Sequence, residues 1–371
     1  MIAFIADAPA AEEVDAGNSL GTAPVPLVGP SGRLFGRLLR MSGLARTDEP
    51  PRDWGDEFLR LGLRPLLWER SDHFIGNVWP YKLADNELRS LFAPAQEAKD
   101  GGYGEAEWHM GGYGWLRSEH RPALRDLGAA LPQEITTVVP LGAAALWAFT
   151  GSSAITESRG TVLRASRILP GVKLVPTLHP THALQDYRFL GVVAADLARA
   201  ALEATTPDTI LHRTARELWV EPGLGDLALW WDRYGAHAES LSVDIETQHG
   251  QIDCIAFASD PVHSICVPFV DWRKPSRSYW GRPSDEHAAW EWVAGALASP
   301  IPKVFQNGLF DLAYIWGKMG LPVVNYCHDT RLAGHVLQPE LPKSLAFLGS
   351  MYAHPPGAWK TLRMGEEKRD A

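Results

Sequence analysis

Apolar-centred runs of five to seven residues, separated by helical patterns, recur through the first 204 residues, and this rhythm constrains the fold more than any other feature. The runs at 1–7, 72–78, 135–141 and 173–177 read as buried strands, and the segments 31–42, 143–150 and 188–204 read as helices. Strands separated by helices belong to an α/β fold. The expected architecture is a three-layer α/β/α domain built on a mostly parallel sheet. Gly29-Pro30-Ser31-Gly32 is a turn opening the first helix, with Ser31 as its cap. Residues 93–122 break the rhythm. Gly101-Gly102-Tyr103-Gly104 recurs as Gly111-Gly112-Tyr113-Gly114, beside Trp108 and Trp115, and reads as a mobile insertion loop. Its aromatic rings would either stack on bases or pack on their own domain.

A second unit follows. Residues 205–237 read as a linker with one helix at 224–234. An α/β domain then begins near 238 and runs to 371, with strands at 241–247, 254–258, 265–270 and 303–306 and helices at 285–298 and 310–319. The three cysteines, Cys254, Cys266 and Cys327, form no CxxC pair, so neither a disulfide framework nor a Cys-ligated zinc or iron–sulfur site is expected. No apolar run is long enough for a membrane span, and the first residues lack signal-peptide features. The expectation is therefore a cytoplasmic protein with no membrane partner. The net charge of −9 argues mildly against phosphate contacts, which a local basic cleft would nonetheless permit.

In a parallel sheet the carboxyl ends of the strands form the ligand crevice. Asp7, Asn77 and His179 each end a strand there, and Val139-Pro140-Leu141-Gly142-Ala143 supplies a strand-to-helix turn. These residue types suit cleavage of the N-glycosidic bond of a flipped base. Asp7 would orient water and stabilise positive charge on the sugar. Asn77 would pair with a pyrimidine edge, and His179 would donate to the base carbonyl oxygen as the base leaves. A neutral His179 suffices if a partner holds its other nitrogen. Taken singly, each residue reads more often as structural: Asp7 as a turn former or helix cap, Asn77 as a strand-end turn residue and His179 as a packed loop residue.

This series resembles the uracil-DNA glycosylase superfamily, most closely family 4, over residues 1–204. The resemblance rests on Ala6-Asp7-Ala8-Pro9-Ala10, Glu12-Glu13, Pro26-Leu27-Val28-Gly29-Pro30-Ser31-Gly32, Asn77, Leu141-Gly142-Ala143, Arg159-Gly160 and His179-Pro180-Thr181. It implies catalytic roles for Asp7 and His179 and base contacts from Asn77, Leu27 and Ala8. It also implies DNA contacts from Ser31, Gly32, Gly142, Thr181 and Leu184, and no cofactor. Leu184 would wedge into the duplex or pack into the core. The chain departs from the family in several places. Ala6 and Ala10 replace glycines, Asp7 replaces Glu, Leu27 stands where a Phe stacks on uracil, and the cluster-binding cysteines are absent. The expected target is uracil or a modified pyrimidine.

In Leu241-Ser242-Val243-Asp244-Ile245-Glu246-Thr247 the strand period puts Asp244 and Glu246 on one face. Two such carboxylates either share a cation or form a solvated face. With Asn307-Gly308-Leu309-Phe310-Asp311, Asp329-Thr330-Arg331 and Lys343-Ser344-Leu345, the series resembles the DEDD 3′–5′ exonucleases of the DNA polymerase I proofreading type. That resemblance implies a partial ribonuclease H-like α/β domain. Asp244, Glu246 and Asp311 would bind Mg²⁺ or Mn²⁺, and Asn307 would position backbone or substrate. Asp329 would shape a helix start. The family's final Tyr-x-x-x-Asp is missing, since Asp370 has Glu366 four residues earlier. The domain is therefore read as incomplete and its nuclease activity as weak or absent. DNA, single- or double-stranded, is the implied partner, together with replication or polymerase proteins, in a bacterial or phage-infected cytoplasm. A non-catalytic DNA-binding module and a nuclease with a relic glycosylase fold remain as rivals.

Overall fold

The computed structural model describes residues 1–20, 22–50, 63–84, 87–208 and 215–353. Glu366 and Asp370 lie outside the described residues. The chain is α/β and divides into two compact units: Met1–Arg213 with Ala346–Ala371, and Thr214–Leu345. No helix among the described residues is long and apolar enough to cross a membrane.

The first unit carries β1 (Ile2–Ala6), β2 (Phe74–Asn77), β3 (Phe92–Ala93), β4 (His109–Met110), β5 (Gly114–Leu116), β6 (Thr137–Pro140), β7 (Leu163–Arg164) and β8 (Lys173–Leu174). The main sheet has the order β2-β1-β6-β8-β7 and is parallel except for β7 on β8. Every residue of β1 is buried, which is why its sequence is apolar without alternation. Ala3 and Ile5 pack into one core with Trp147 and Leu124. Ile2, Phe4 and Ala6 pack into a second with Phe35, Leu38 and Val193. Helices therefore cover both faces: Pro122–Ala130 and Ala143–Thr150 on one, Pro30–Met41 and Leu190–Glu203 on the other. The helix Ala143–Thr150 is apolar nearly all round, as a helix enclosed by its own layer must be.

Two expectations for this unit are corrected. The helix at 30 opens on Pro30, with Gly29 as its cap and no side-chain capping bond, so Ser31 lies inside the first turn. Proline fits there because its missing N–H would be unsatisfied anyway. Residues 93–122 are not a loose insertion. They hold the antiparallel sheet β3-β5-β4, and Met110 and Leu116 are completely buried in the core. The glycines permit this. Gly114 sits at φ 112°, where an added Cβ would come within 2.3 Å of the Ala93 carbonyl oxygen. Trp108 lies under the Arg121 guanidinium and Trp115 against His109.

The second unit has β9 (Glu217–Trp219), β10 (Leu241–Gln248), β11 (Gln251–Ala258), β12 (His263–Pro268), β13 (Lys303–Phe305) and β14 (Tyr326–Asp329), in the order β14-β13-β10-β11-β12-β9. β10, β11 and β12 are antiparallel neighbours, flanked by parallel strands. Along β10, Leu241, Val243 and Ile245 are buried, while Ser242, Asp244 and Glu246 are exposed. The helix Leu224–Arg233, expected in a linker, instead buries Leu227 and Trp230 in this unit's core. Its apolar residues at i and i+3 had a partner surface after all.

Candidate functional sites

The carboxyl ends of β1, β2, β6 and β8 lie side by side, because these strands run parallel in adjacent positions. Asp7 follows β1, Gly142 follows β6, and His179 lies two residues after Thr177, which bridges Leu141. The Gly142 amide donates to the Thr177 carbonyl at 2.9 Å, locking the two turns together. A Cβ built on Gly142 would lie 3.5 Å from the His179 Cβ and 3.6 and 3.7 Å from the Asp7 carboxylate oxygens. Asp7 and the base of the His179 side chain thus both border the space at this glycine. Gly142 has φ 101° and ψ 176°, a conformation essentially restricted to glycine.

The Asp7 Oδ1 accepts a hydrogen bond from the Ala145 amide at 3.0 Å, in the first turn of Ala143–Thr150. Burial raises the Asp7 carboxyl to about 7, although that amide bond pulls the other way. His179 caps Pro180–Gln185, and its Nδ1 accepts from the Thr181 amide at 3.2 Å and contacts Thr181 Oγ1 at 2.9 Å. An amide can only donate, so Nδ1 carries the lone pair and the ring proton sits on Nε2. Burial lowers His179 to about 4, so the ring is neutral near pH 7. The pair combines a carboxyl that titrates near neutrality with a fixed N–H donor.

Asn77 has separate partners. It is paired in register with Ala6 and lies near the Glu13 carboxylate. Its Oδ1 is buried with no protein partner, and the residue lines a cavity of about 260 Å³ with Phe74, Pro26 and Leu127. Glu13 Oε1 accepts from the Leu27 amide at 2.7 Å, and Arg70 donates to the carbonyls of Leu27 and Pro26 at 2.8 Å each. Burial raises Glu13 to about 6 and lowers Arg70 to about 10.

Leu27 does not offer a platform for a base. Its side chain is 1% exposed in the core with Phe4 and Phe35, and its backbone at φ 54° is what the Glu13–Arg70 frame holds. Gly32 lies beneath this turn, where an added Cβ would collide with the Leu27 carbonyl. Ala8 and Ser31 are half-buried, Thr181 is exposed beside His179, and Leu184 is 45% exposed.

Sequence reasoning missed the frame around these turns. Arg159 and Asp196 form a fully buried ion pair, and Thr177 Oγ1 donates to Asp196 Oδ2 at 2.7 Å. Arg159 also donates to Ser350 Oγ at 2.6 Å and lies over the Phe347 ring. The available signal was Asp196, a carboxylate on the apolar face of a helix between Val193 and Ala200. Glu13 stands out in the sequence only as one of the adjacent Glu12-Glu13 pair.

In the second unit, Asp311 lies in the first turn of Leu309–Ile315 and is 3% exposed, and its Oδ1 accepts from the Ile245 amide at 3.1 Å. Burial and the neighbouring Asp244 charge raise it to about 6. Asp244 and Glu246 share the exposed face of β10. Asp329 is a structural clamp. It accepts from the amides of Asn307, Gly308, Arg331 and Leu332 and from the Tyr326 hydroxyl. Asn307, at φ 62°, accepts from Arg331 at 2.8 Å. Among the described residues no three His, Cys, Asp or Glu side chains converge as a metal-binding group. The expected set of Asp244, Glu246 and Asp311 therefore does not fit a Mg²⁺ or Mn²⁺ ion as arranged.

No protein-family model matches the sequence, and no curated protein matches it. Among solved structures, the chain is similar to the POL domain of Pol1 from M. smegmatis, in complex with DNA primer-template and dNTP. The identity is 22% over 37% of this chain and 22% of that one, with a TM-score of 0.29. A structure described as the apo form of the nuclease matches at 15% identity over 36% of this chain and 57% of that one, TM-score 0.24. The EXD2 exonuclease domain soaked in Mg and dGMP matches at 17% identity over 42% of this chain and 77% of that one, TM-score 0.24. The chain thus spans about a fifth of the polymerase structure and just over half of the nuclease.

Proposed function

We propose that the first unit hydrolyses the N-glycosidic bond of uracil or a modified pyrimidine flipped out of DNA. The observation that carries this reading is the placement of Asp7 and His179 beside Gly142 at the carboxyl edge of the parallel sheet. Bond cleavage leaves positive charge on the sugar and negative charge on the departing base. The ionised Asp7 stabilises the first and orients water toward the sugar carbon. The His179 Nε2–H donates to the second, a contribution of about 10²–10³ in rate for a single preorganised donor. Neutral His179 already carries the proton in the required place, so no rearrangement precedes the reaction. Asn77, with a buried and unpaired Oδ1, supplies an acceptor for a base edge. Base recognition then rests on Asn77 and the cavity beside it, without stacking from Leu27.

The test is a uracil-containing duplex incubated with the full chain and then with hot alkali. Strand breaks that fall at least about 10²-fold in His179→Ala support the reading. Tight binding without breaks would favour a DNA-binding module that has lost its chemistry.

A second reading concerns the other unit and is favoured by Asp311, whose carboxyl feels the Asp244 charge beneath the acidic face of β10. There the unit is an exonuclease-like module acting on 3′ ends. The carboxylates do not form a metal cage as they stand, so no metal-borne step is assigned to them. Degradation of single-stranded DNA with Mn²⁺, lost in Asp244→Ala, supports this reading. Identical, negligible degradation by both proteins refutes it for this chain.

A further inference from the structure

The face of the second sheet that bears Asp244 and Glu246 also bears two of the three cysteines. In the β10–β11 register Glu246 pairs with Cys254 and Asp244 with Ala256. In the β11–β12 register Ala256 pairs with Cys266 and Cys254 with Pro268. Residues two apart share a face, so Cys254 and Cys266 are diagonal neighbours on adjacent antiparallel strands. Both are half-buried. Val243, Ile245, Ile255, Phe257, Ile265 and Val267 fill the opposite face, so neither thiol is needed to build the core.

We propose that Cys254 and Cys266 are a redox-modification site, oxidised reversibly by peroxide to a disulfide that staples β11 to β12 beside the acidic face. One thiolate sulfur attacks the peroxide O–O bond, giving a sulfenic acid and releasing hydroxide, which takes up a proton as water. The second sulfur displaces the sulfenic oxygen, forming the S–S bond and a second water. Two thiols and one peroxide thus give one disulfide and two waters. The resolving thiol is already adjacent, which favours the disulfide over further oxidation. Diagonal partners lie about 7–8 Å apart at Cα, slightly beyond the usual span of a disulfide, so closing the bond draws the strands together. A strained bridge of this kind is readily reduced, which suits a reversible switch better than a permanent staple. The exposed Cys327, on β14, hydrogen-bonds to Asn325 and serves as an internal control.

The experiment treats the full chain with hydrogen peroxide, counts thiols after denaturation, and maps cross-linked peptides by mass spectrometry without reductant. Two of the three thiols should disappear, with one peptide pair joining Cys254 to Cys266 and full recovery on adding dithiothreitol. In Cys254→Ser, and independently in Cys266→Ala, no intramolecular bridge should form. The proposal is overturned if all three thiols persist. It is equally overturned if Cys254 or Cys266 ends as sulfinic acid without a bridge, or if the bridge uses Cys327. None of these outcomes depends on either hydrolytic activity.

Discussion

Replacing Asp7 by Asn tests whether the first unit holds the Asp7 carboxyl at a cost in stability. Burial raises this group from 3.8 to about 7. Three units at about 1.4 kcal/mol each set a ceiling near 4 kcal/mol on the differential between folded and unfolded chain. The carboxyl is half-buried, so solvent screening lowers the expected effect to about 2 kcal/mol. The sign follows from the direction of the shift. A folded-state value above the unfolded one favours folding fully below pH 3.8, and the advantage is lost as pH rises through about 7. The wild-type unit should therefore weaken between pH 4 and pH 8. Asp7→Asn cannot ionise, and its amide oxygen can still accept from Ala145, so it should escape that loss. Urea midpoints read by pulsed hydrogen exchange in peptides spanning Ile2–Ala6 and Thr137–Pro140 would isolate the first unit. The two proteins should agree near pH 4, and the variant should be the more stable by about 2 kcal/mol at pH 8. Base release should vanish in the variant, and in the wild type it should climb with pH through about 7. Equal midpoints at pH 8, or a variant weaker at both pH values, would refute the reasoning.

Gly142→Ala should lower the stability of the first unit by about 1–3 kcal/mol, because the new side chain inherits a backbone conformation suited to glycine. It should abolish base release as well, since its methyl group occupies the space between Asp7 and His179; thermal melting and the alkali-cleavage assay check both. Asp196→Ala strands the buried Arg159 charge and should cost about 3–5 kcal/mol, while Asp196→Leu with Arg159→Met should recover much of it. Urea titration of the single and double variants measures the difference.

What could be read from the residue order, and what could not, follows the range of the interactions involved. The strands of the first sheet declared themselves because β1 and β6 are buried on both faces, and only apolar residues survive there. The alternation of β10 was equally plain, since one face meets the core and the other does not. The proximity of Asp7 and His179 was legible because strand ends in a parallel sheet must adjoin. Their protonation states were not, because these depend on the Ala145 amide and the Thr181 amide, and no spacing rule reports such contacts. Leu27 shows the limit most sharply. Its place in the sequence pointed to base stacking, yet a buried carboxylate fourteen residues earlier and an arginine forty-three residues later hold its backbone, and the side chain turns inward. The same logic separates the two candidate sites. In the first unit Asp7 and His179 both border the space at Gly142, with Asp7 Oδ1 and His179 Nδ1 each held by a backbone amide. In the second, Asp244, Glu246 and Asp311 are not gathered into a metal-binding group among the described residues. For the second unit to act as a metal-dependent nuclease, those three carboxylates must draw together around a cation, and the depth of Asp311, buried while Asp244 and Glu246 are exposed, is what such a closure would have to overcome.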